Sequence, residues 1–291
     1  MKIEVKAPAK INLALDIINK RNDGYHNVKM IMQSISLYDY VTITENNNEI
    51  IDVSCNFPSL HQSDSNTAFK AADEFFKYTN IKNPGITIDL YKQIPMCAGL
   101  AGGSSDAAAV ILGLDKMMST HLSHSEFAKI GAKIGADVPF CFTGGTMLAE
   151  GIGTTLTSIP DMPNCHIVLA KPLIYVSTKE AYELCDNYEL SKSKNFDLAV
   201  KAIYNKNIEK LGKLIYNKFE NVLKIEEVNN IKETMLSFHA EGACMSGSGP
   251  SVFGLFKDKN LAYQCSLKLK QNYRDVFICK PIINGCMILN I

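Results

Sequence analysis

Gly99, Gly102 and Gly103, followed by Ser104 and Ser105, stand directly before an alanine-rich apolar run in the stretch PMCAGLAGGSSDAAAVILGL, residues 95–114. A glycine costs about 1 kcal/mol inside a helix, so this cluster marks a loop. The spacing predicts a strand over 86–94 that ends at Pro95, then the loop, then a helix from about Ser105 to Met118. The first N–H groups of a helix lack partners, and its dipole places roughly half a positive charge there. Such an end is a natural phosphate site, and glycines before it let the backbone approach an anion without a Cβ in the way. Residues 99–105 are therefore expected to wrap a polyphosphate, with the hydroxyls of Ser104 and Ser105 available to phosphate or metal. An ordinary capped turn stays open as the alternative. No lysine follows the last glycine as a Walker loop requires, and the HRD and DFG signatures of protein kinases are absent.

The chain has 291 residues, which suits two domains. A hydrophobic share of 46% supports a large core, and a formal net charge of zero argues against a nucleic-acid partner. No apolar run reaches the 18 residues of a membrane span, and the alternating start MKIEVKAPAKINLALDI reads as strand rather than signal peptide. Nine cysteines, an odd number without a CxxC pair, argue against a disulfide framework or a zinc ribbon and fit free thiols in a reducing cytoplasm.

Along the chain, KIEVKA and INLALDI suggest two early strands, and MIMQSISLYDYVTITE another strand region with a turn-like YDY inside it. NTAFKAADEFFKYT has helical spacing, with Ala68, Ala71, Ala72, Phe75 and Phe76 on one face. Ser123 and Glu126 form a capping-box pattern that starts another helix, with Gly135 as its terminator. ADVPFCF and TMLAEGIG read as short extended pieces. Prolines cluster at 158–165, where the domain junction is placed, giving units of 1–160 and 161–291. The second unit is expected to hold a strand at HIVLA, a helix led by Ser177 and Glu180, helical spacing over 196–238, a glycine turn between two short strands in ACMSGSGPSVFGLF, and a closing helix and strand. Strands mixed with helical runs, without strict alternation, argue for an α+β class.

Two glycine turns in one chain point to a shared ligand. With both in view, APAKINLALDI (7–17), IPMCAGLAGGSSDAAA (94–109) and CMSGSGPSVFGLF (244–256) resemble the three ordered motifs of the GHMP kinases. DGYH (23–26), GADVPF (135–140) and AEGIG (149–153) are similar to one branch of that family, whose acceptor is a methylerythritol carrying a cytidyl diphosphate and which serves the non-mevalonate route to isoprenoid precursors. Cys97 departs from the pattern, which favours a small or β-branched residue there, and Ala101 stands where some relatives have glycine.

The resemblance implies a two-domain α+β kinase fold with the active site between the domains, the second of them ferredoxin-like. It implies phosphoryl transfer from ATP with Mg²⁺ to an alcohol, a chemistry dominated by positioning and charge stabilisation. Pro95, Met96, Cys97, Ala98, Gly99, Leu100, Ala101, Gly102, Gly103, Ser104 and Ser105 would then bind ATP, with Ser105 as the candidate protein ligand to the metal. Asp137 matches the catalytic aspartate, placed to take the proton of the acceptor hydroxyl, and Lys10 the lysine that pairs with it and offsets charge on the transferring group. Asn12 shares a strand face with Lys10 by the period of two and would reach the substrate. Tyr25 would stack on the base, His26 hydrogen-bond it, and Thr178 and Tyr182 close the pocket from the other side. Ser246, Gly247, Ser248 and Gly249 would form a glycine turn near the phosphates. Small molecules are the only partners implied, with no nucleic acid and no membrane, for a cytoplasmic monomer or homodimer.

Homoserine or a mevalonate derivative is the rival acceptor, and DGYH speaks against both, since neither offers a base. A nucleotide-binding protein without turnover is the other alternative, and the joint presence of Lys10 and Asp137 speaks against it. His121 and His124 lack a third ligand nearby and read as solvated loop residues. Ser191–Lys194, an SxxK match, reads as a surface loop.

Overall fold

The chain opens with one strand where two were expected. In the computed structural model, which describes residues 1–57, 66–188 and 195–290, KIEVKA and INLALDI run together as β1 (Lys2–Lys20). Pro8 has no N–H for a ladder, and the pairing register slips between Pro8 and Ala9. The irregularity absorbs the proline without ending the strand. The order continues β2 (His26–Glu45), β3 (Ile51–Cys55), α1 (Thr67–Thr79), β4 (Ile86–Tyr91), α2 (Gly102–Met118), α3 (His124–Ile134), α4 (Val138–Thr143), β5 (Thr146–Gly151) and β6 (Thr155–Ser158). After the proline cluster come β7 (His166–Lys171), α5 (Thr178–Asp186), α6 (Phe196–Tyr204), α7 (Ile208–Gly212), β8 (Tyr216–Asn217), α8 (Phe219–Leu223), α9 (Glu226–Ser237), β9 (Gly242–Met245), β10 (Val252–Phe256), α10 (Lys259–Lys270), β11 (Asp275–Cys279) and β12 (Met287–Asn290). The SxxK match at 191–194 lies outside the described residues.

Two sheets organise the molecule. The first has eight strands and runs β12-β1-β2-β4-β3, with β5 and β6 continuing from β2 and the two-residue β8 lying parallel to β1. The second is a four-stranded antiparallel sheet in the order β11-β7-β10-β9. β1 alternates in burial only at its start; from Ala7 to Ile17 every residue is buried, because both of its faces are covered. α2 packs against β1, β2 and α1, on one side of the first sheet. The last strand, β12, crosses back to pair with β1, so the end of the chain belongs to the first sheet.

Four local expectations are corrected. Tyr38-Asp39-Tyr40 is no turn: β2 runs straight through it, because the Asp39 carboxylate finds partners across the sheet. ADVPFCF is not extended but forms α4, whose Pro139 lies in the first turn, where a missing N–H costs nothing. The helical run 196–238 is interrupted by β8, which is held by its pairing with Ala14 and Leu15. α2 begins at Gly102, three residues before the expected start. The capping box at Ser123 and Glu126 forms as the pattern predicts.

Candidate active site

A cleft of about 1080 Å³ lies where β1, the end of β4, the start of α2, α5 and the turn between β9 and β10 converge. Its floor is set by the glycine loop. Ala101, the residue before α2, adopts a left-handed backbone with φ 58°, and no side chain caps the first N–H groups of the helix. The loop and the first turn of α2 line the cleft from Pro95 through Ser104.

The glycines serve the protein's own packing more directly than the sequence suggested. A Cβ on Gly99, at φ +71°, would stand 2.0 Å from the Ser246 carbonyl oxygen. One on Gly102 would meet Ile94 Cγ2 at 3.1 Å and Lys92 Nζ at 3.3 Å. The first glycine lets the two glycine turns touch, and the second lets the helix start press onto the segment that follows β4. Ser246 completes this junction. It is fully buried and does not line the cleft; its hydroxyl donates to the Gly99 carbonyl at 2.9 Å and receives the Asn12 N–H at 3.3 Å. Gly247, Ser248 and Gly249 do line the cleft. The three motifs are thus wired to one another through a single hydroxyl.

Ser105 is also corrected. It is fully buried, and its hydroxyl donates to the Pro8 carbonyl at 2.7 Å. The side chain expected to hold a metal faces the core, and Ser104 lines the cleft instead. Among the described residues no three His, Cys, Asp or Glu side chains gather into a cage that would hold a metal ion by protein groups alone. His124 shares its ring nitrogen with Thr143 at 3.1 Å and leans on Phe142.

Lys10 and Asp137 meet in the cleft, with Nζ 3.3 Å from Oδ2. Lys10 is buried in the middle of β1, and its ammonium also donates to Asn12 Oδ1 at 2.8 Å. The shared strand face predicted for Lys10 and Asn12 therefore exists, but Asn12 spends its carbonyl on the lysine. Asp137 precedes α4 and caps nothing there with its side chain, which leaves its carboxylate, 28% exposed, to the cleft.

At the other end, Tyr25 is 62% exposed beside the buried His26. Tyr182 stacks on the His26 ring with centroids 4.7 Å apart and meets Phe219 edge-on at 4.9 Å. Burial pushes the Tyr182 phenol well above its usual pKa. Thr178 shares a 2.8 Å hydrogen bond with Ser248, tying α5 to the second glycine turn.

Several residues at this site were missed from the sequence. Lys92 lies between Asp39 and Asp106, pairs with both, and is almost fully buried with them behind the glycine loop. Burial works against the Lys92 ammonium, but the two carboxylates outweigh it and hold its pKa above the ordinary value. Burial raises Asp106 to about 7, with Asp39 adding to the rise and Lys92 opposing it. A signal was present: Lys92 falls in phase with Ile86, Ile88 and Leu90, and Asp39 with Leu37, Val41 and Ile43, so both charges continue an apolar, inward-facing phase. Such charges need partners. Asn217, on β8, donates to the carbonyls of Met245 at 2.8 Å and Gly247 at 2.7 Å and so holds the second turn. Nothing in its local sequence announced this.

Residues 66–145 match the family model for the GHMP kinases N terminal domain and residues 199–275 that for the GHMP kinases C terminal domain. The chain is 45% identical to a 4-diphosphocytidyl-2-C-methyl-D-erythritol kinase of Acetivibrio thermocellus, over 96% of this chain and 99% of that one. It is 43% identical to the protein of the same name from Clostridium kluyveri, with the same coverage of 96% and 99%. A crystal structure of 4-(cytidine 5'-diphospho)-2C-methyl-D-erythritol kinase superposes with a TM-score of 0.81 at 26% identity, covering 96% of this chain and 98% of that one. A homoserine kinase from Cytophaga hutchinsonii shares the fold, with a TM-score of 0.78 at 18% identity over 99% of this chain and 97% of its own.

Proposed function

The chain belongs to the GHMP kinases, and from that premise we propose that its cleft transfers a phosphoryl group from ATP to the 2-hydroxyl of 4-diphosphocytidyl-2-C-methyl-D-erythritol. The observation that carries this reading is one cleft joining the Lys10–Asp137 pair, the uncapped start of α2, and Tyr25 with His26. The names of relatives 43% and 45% identical along nearly the whole chain support the acceptor.

In this proposal the α2 start and the loop before it bind the ATP phosphates through backbone N–H groups. The exposed carboxylate of Asp137 accepts the hydroxyl proton as the new O–P bond forms. Lys10 offsets negative charge on the transferring group. Asn12, bonded to the Lys10 ammonium, aims it. Tyr25 and His26 hold the cytosine, with Tyr182 supporting the histidine ring from behind. Mg²⁺ would arrive with ATP, held by phosphate oxygens and water.

A coupled assay tests the reading by offering ATP with the cytidyl substrate, with mevalonate and with homoserine. Turnover of the cytidyl compound alone is expected. Turnover of mevalonate or homoserine at a comparable kcat/KM would refute the acceptor while keeping the kinase.

A further inference from the structure

His26 is gripped at two points by one helix. Tyr182 and Asp186 lie four residues apart on α5 and so share a face. Tyr182 covers the flat of the imidazole, tilted by 20°. Asp186, the last residue of the helix, takes the ring's edge, with Oδ1 2.7 Å from Nε2. Its other oxygen, Oδ2, is 2.5 Å from the ammonium of Lys20, at the end of β1. Among the described residues the other ring nitrogen, Nδ1, makes no hydrogen bond to the protein, and His26 lines the cleft.

We propose that Asp186 is a positioning residue that sets the tautomer of His26 and thereby makes the pocket select a 4-aminopyrimidine. An ionised carboxylate can only accept hydrogen bonds. The hydrogen bonds from Lys20 and His26 hold the Asp186 carboxyl below the usual carboxylate range, so it is ionised at neutral pH. Nε2 must then carry the hydrogen. Lys20 already balances the carboxylate's charge, so the imidazole is asked only for one hydrogen bond at Nε2. A neutral imidazole with its hydrogen on Nε2 presents a lone pair at Nδ1. Cytosine offers an N–H at its 4-amino group, whereas uracil offers a carbonyl oxygen there. The lone pair accepts from the first and opposes the second. Stacking on Tyr25 cannot make this distinction, since every base has a π-face. The proposal rests on the cytidyl reading of the cleft and adds the group that makes the cleft specific.

Two measurements separate the layers. The first is the ¹⁵N shift pattern of the His26 imidazole in the substrate-free protein, which does not depend on what the enzyme phosphorylates. The wild type should show hydrogen on Nε2 alone. Hydrogen on Nδ1, or on both nitrogens, overturns the proposal. The second is kcat/KM for the cytidyl substrate and its uridyl analogue in wild type, Asp186→Asn and Asp186→Glu. In the asparagine variant Lys20 claims the amide oxygen and leaves an NH₂ facing Nε2, which drives the hydrogen to Nδ1. The preference for cytidyl over uridyl should then shrink by about ten- to a hundredfold, mainly through KM, with kcat less affected. Asp186→Glu, which restores a carboxylate, should recover part of the preference. Equal losses on both substrates would mean that Asp186 only braces α5 against β1, and would overturn the proposal. A wild type that phosphorylates methylerythritol without its nucleotide equally well would overturn the cytidyl reading itself, a failure visible before any variant is made.

Discussion

Two lysines line the same cleft with acidic partners, and they are built for opposite ends. Lys10 faces one carboxylate, Asp137, at 3.3 Å, and that carboxylate is 28% open to the cleft. Lys92 is enclosed by two, Asp39 and Asp106, whose side chains are 0% and 4% exposed. The first pair retains a carboxylate edge that a substrate hydroxyl can reach. The second has none: Asp39 Oδ1 also accepts from the backbone N–H groups of Gln93 and Ile94, at 2.6 and 2.8 Å. Asp39 thereby holds the chain just before Pro95, and Asp106 sits in the first turns of α2, so the buried triad clamps both ends of the glycine loop. The same residue types make a reacting pair or a scaffold, depending on whether solvent and substrate can enter.

The sharpest way to break this comparison is to remove one charge from each group. Asp137→Asn should lower kcat by on the order of 10²–10⁴ while its thermal midpoint stays near that of wild type. Near-normal turnover by the folded variant would place the base elsewhere. Lys92→Met should do the reverse. It strands two buried carboxylates, and breaking a buried pair costs about 3–5 kcal/mol, read by chemical denaturation. A variant as stable as wild type would show that the triad clamps nothing.

The triad should also leave a mark on pH dependence. Asp106 is raised to about 7 in the folded chain, above the value near 4 of an unfolded aspartate. Between those values the folded state binds the extra proton. The stability this group contributes is therefore fully present below about pH 4 and lost as pH rises through about 7, at up to roughly 1.4 kcal/mol per unit. Asp106→Asn should flatten that segment of the stability–pH curve, and an unchanged slope would contradict the assignment.

Two smaller changes probe the loop between the lysines. Gly99→Ala would drive a methyl to 2.0 Å from the Ser246 carbonyl at a positive φ. It should weaken ATP binding by about tenfold or more, since the misfit exceeds the ordinary cost of an incompatible glycine replacement of about 1 kcal/mol. Calorimetry showing wild-type affinity would mean that the contact between the turns is not needed. Cys97 is the exposed one of nine free cysteines and has φ 49°. Cys97→Gly should relieve left-handed strain and raise stability by about 1 kcal/mol, without changing the acceptor preference.

Much of this was legible in the chain itself. The α+β class, the capping box at Ser123, the helix face from Ala68 to Phe76 and the loop before α2 all rest on short-range rules, in which spacing and backbone preference act within a few residues. The same rules failed where distant partners decide. Asp39 looked like part of a turn and became strand because Lys92 and two backbone N–H groups lie across the sheet. Ser105 looked like a ligand and turned inward because the Pro8 carbonyl passes behind it. Asn217 belongs to a two-residue strand that exists only through its pairing with β1.

What the sequence alone determined was the set of chemical parts and their order: a glycine loop, a lysine on a strand, an aspartate in a GADVP stretch and a Tyr-His turn. Local steric and hydrogen-bonding rules act on neighbours and leave their trace in neighbouring letters. Only the tertiary structure decided which hydroxyl joins the two glycine turns, which lysine has a carboxylate partner open to the cleft and which nitrogen of His26 is left without a protein partner among the described residues. Those choices depend on groups 160 residues apart for the His26 and Asp186 side chains and 234 apart for the Asn12 backbone N–H and the Ser246 hydroxyl, brought to hydrogen-bond distance by the tertiary packing.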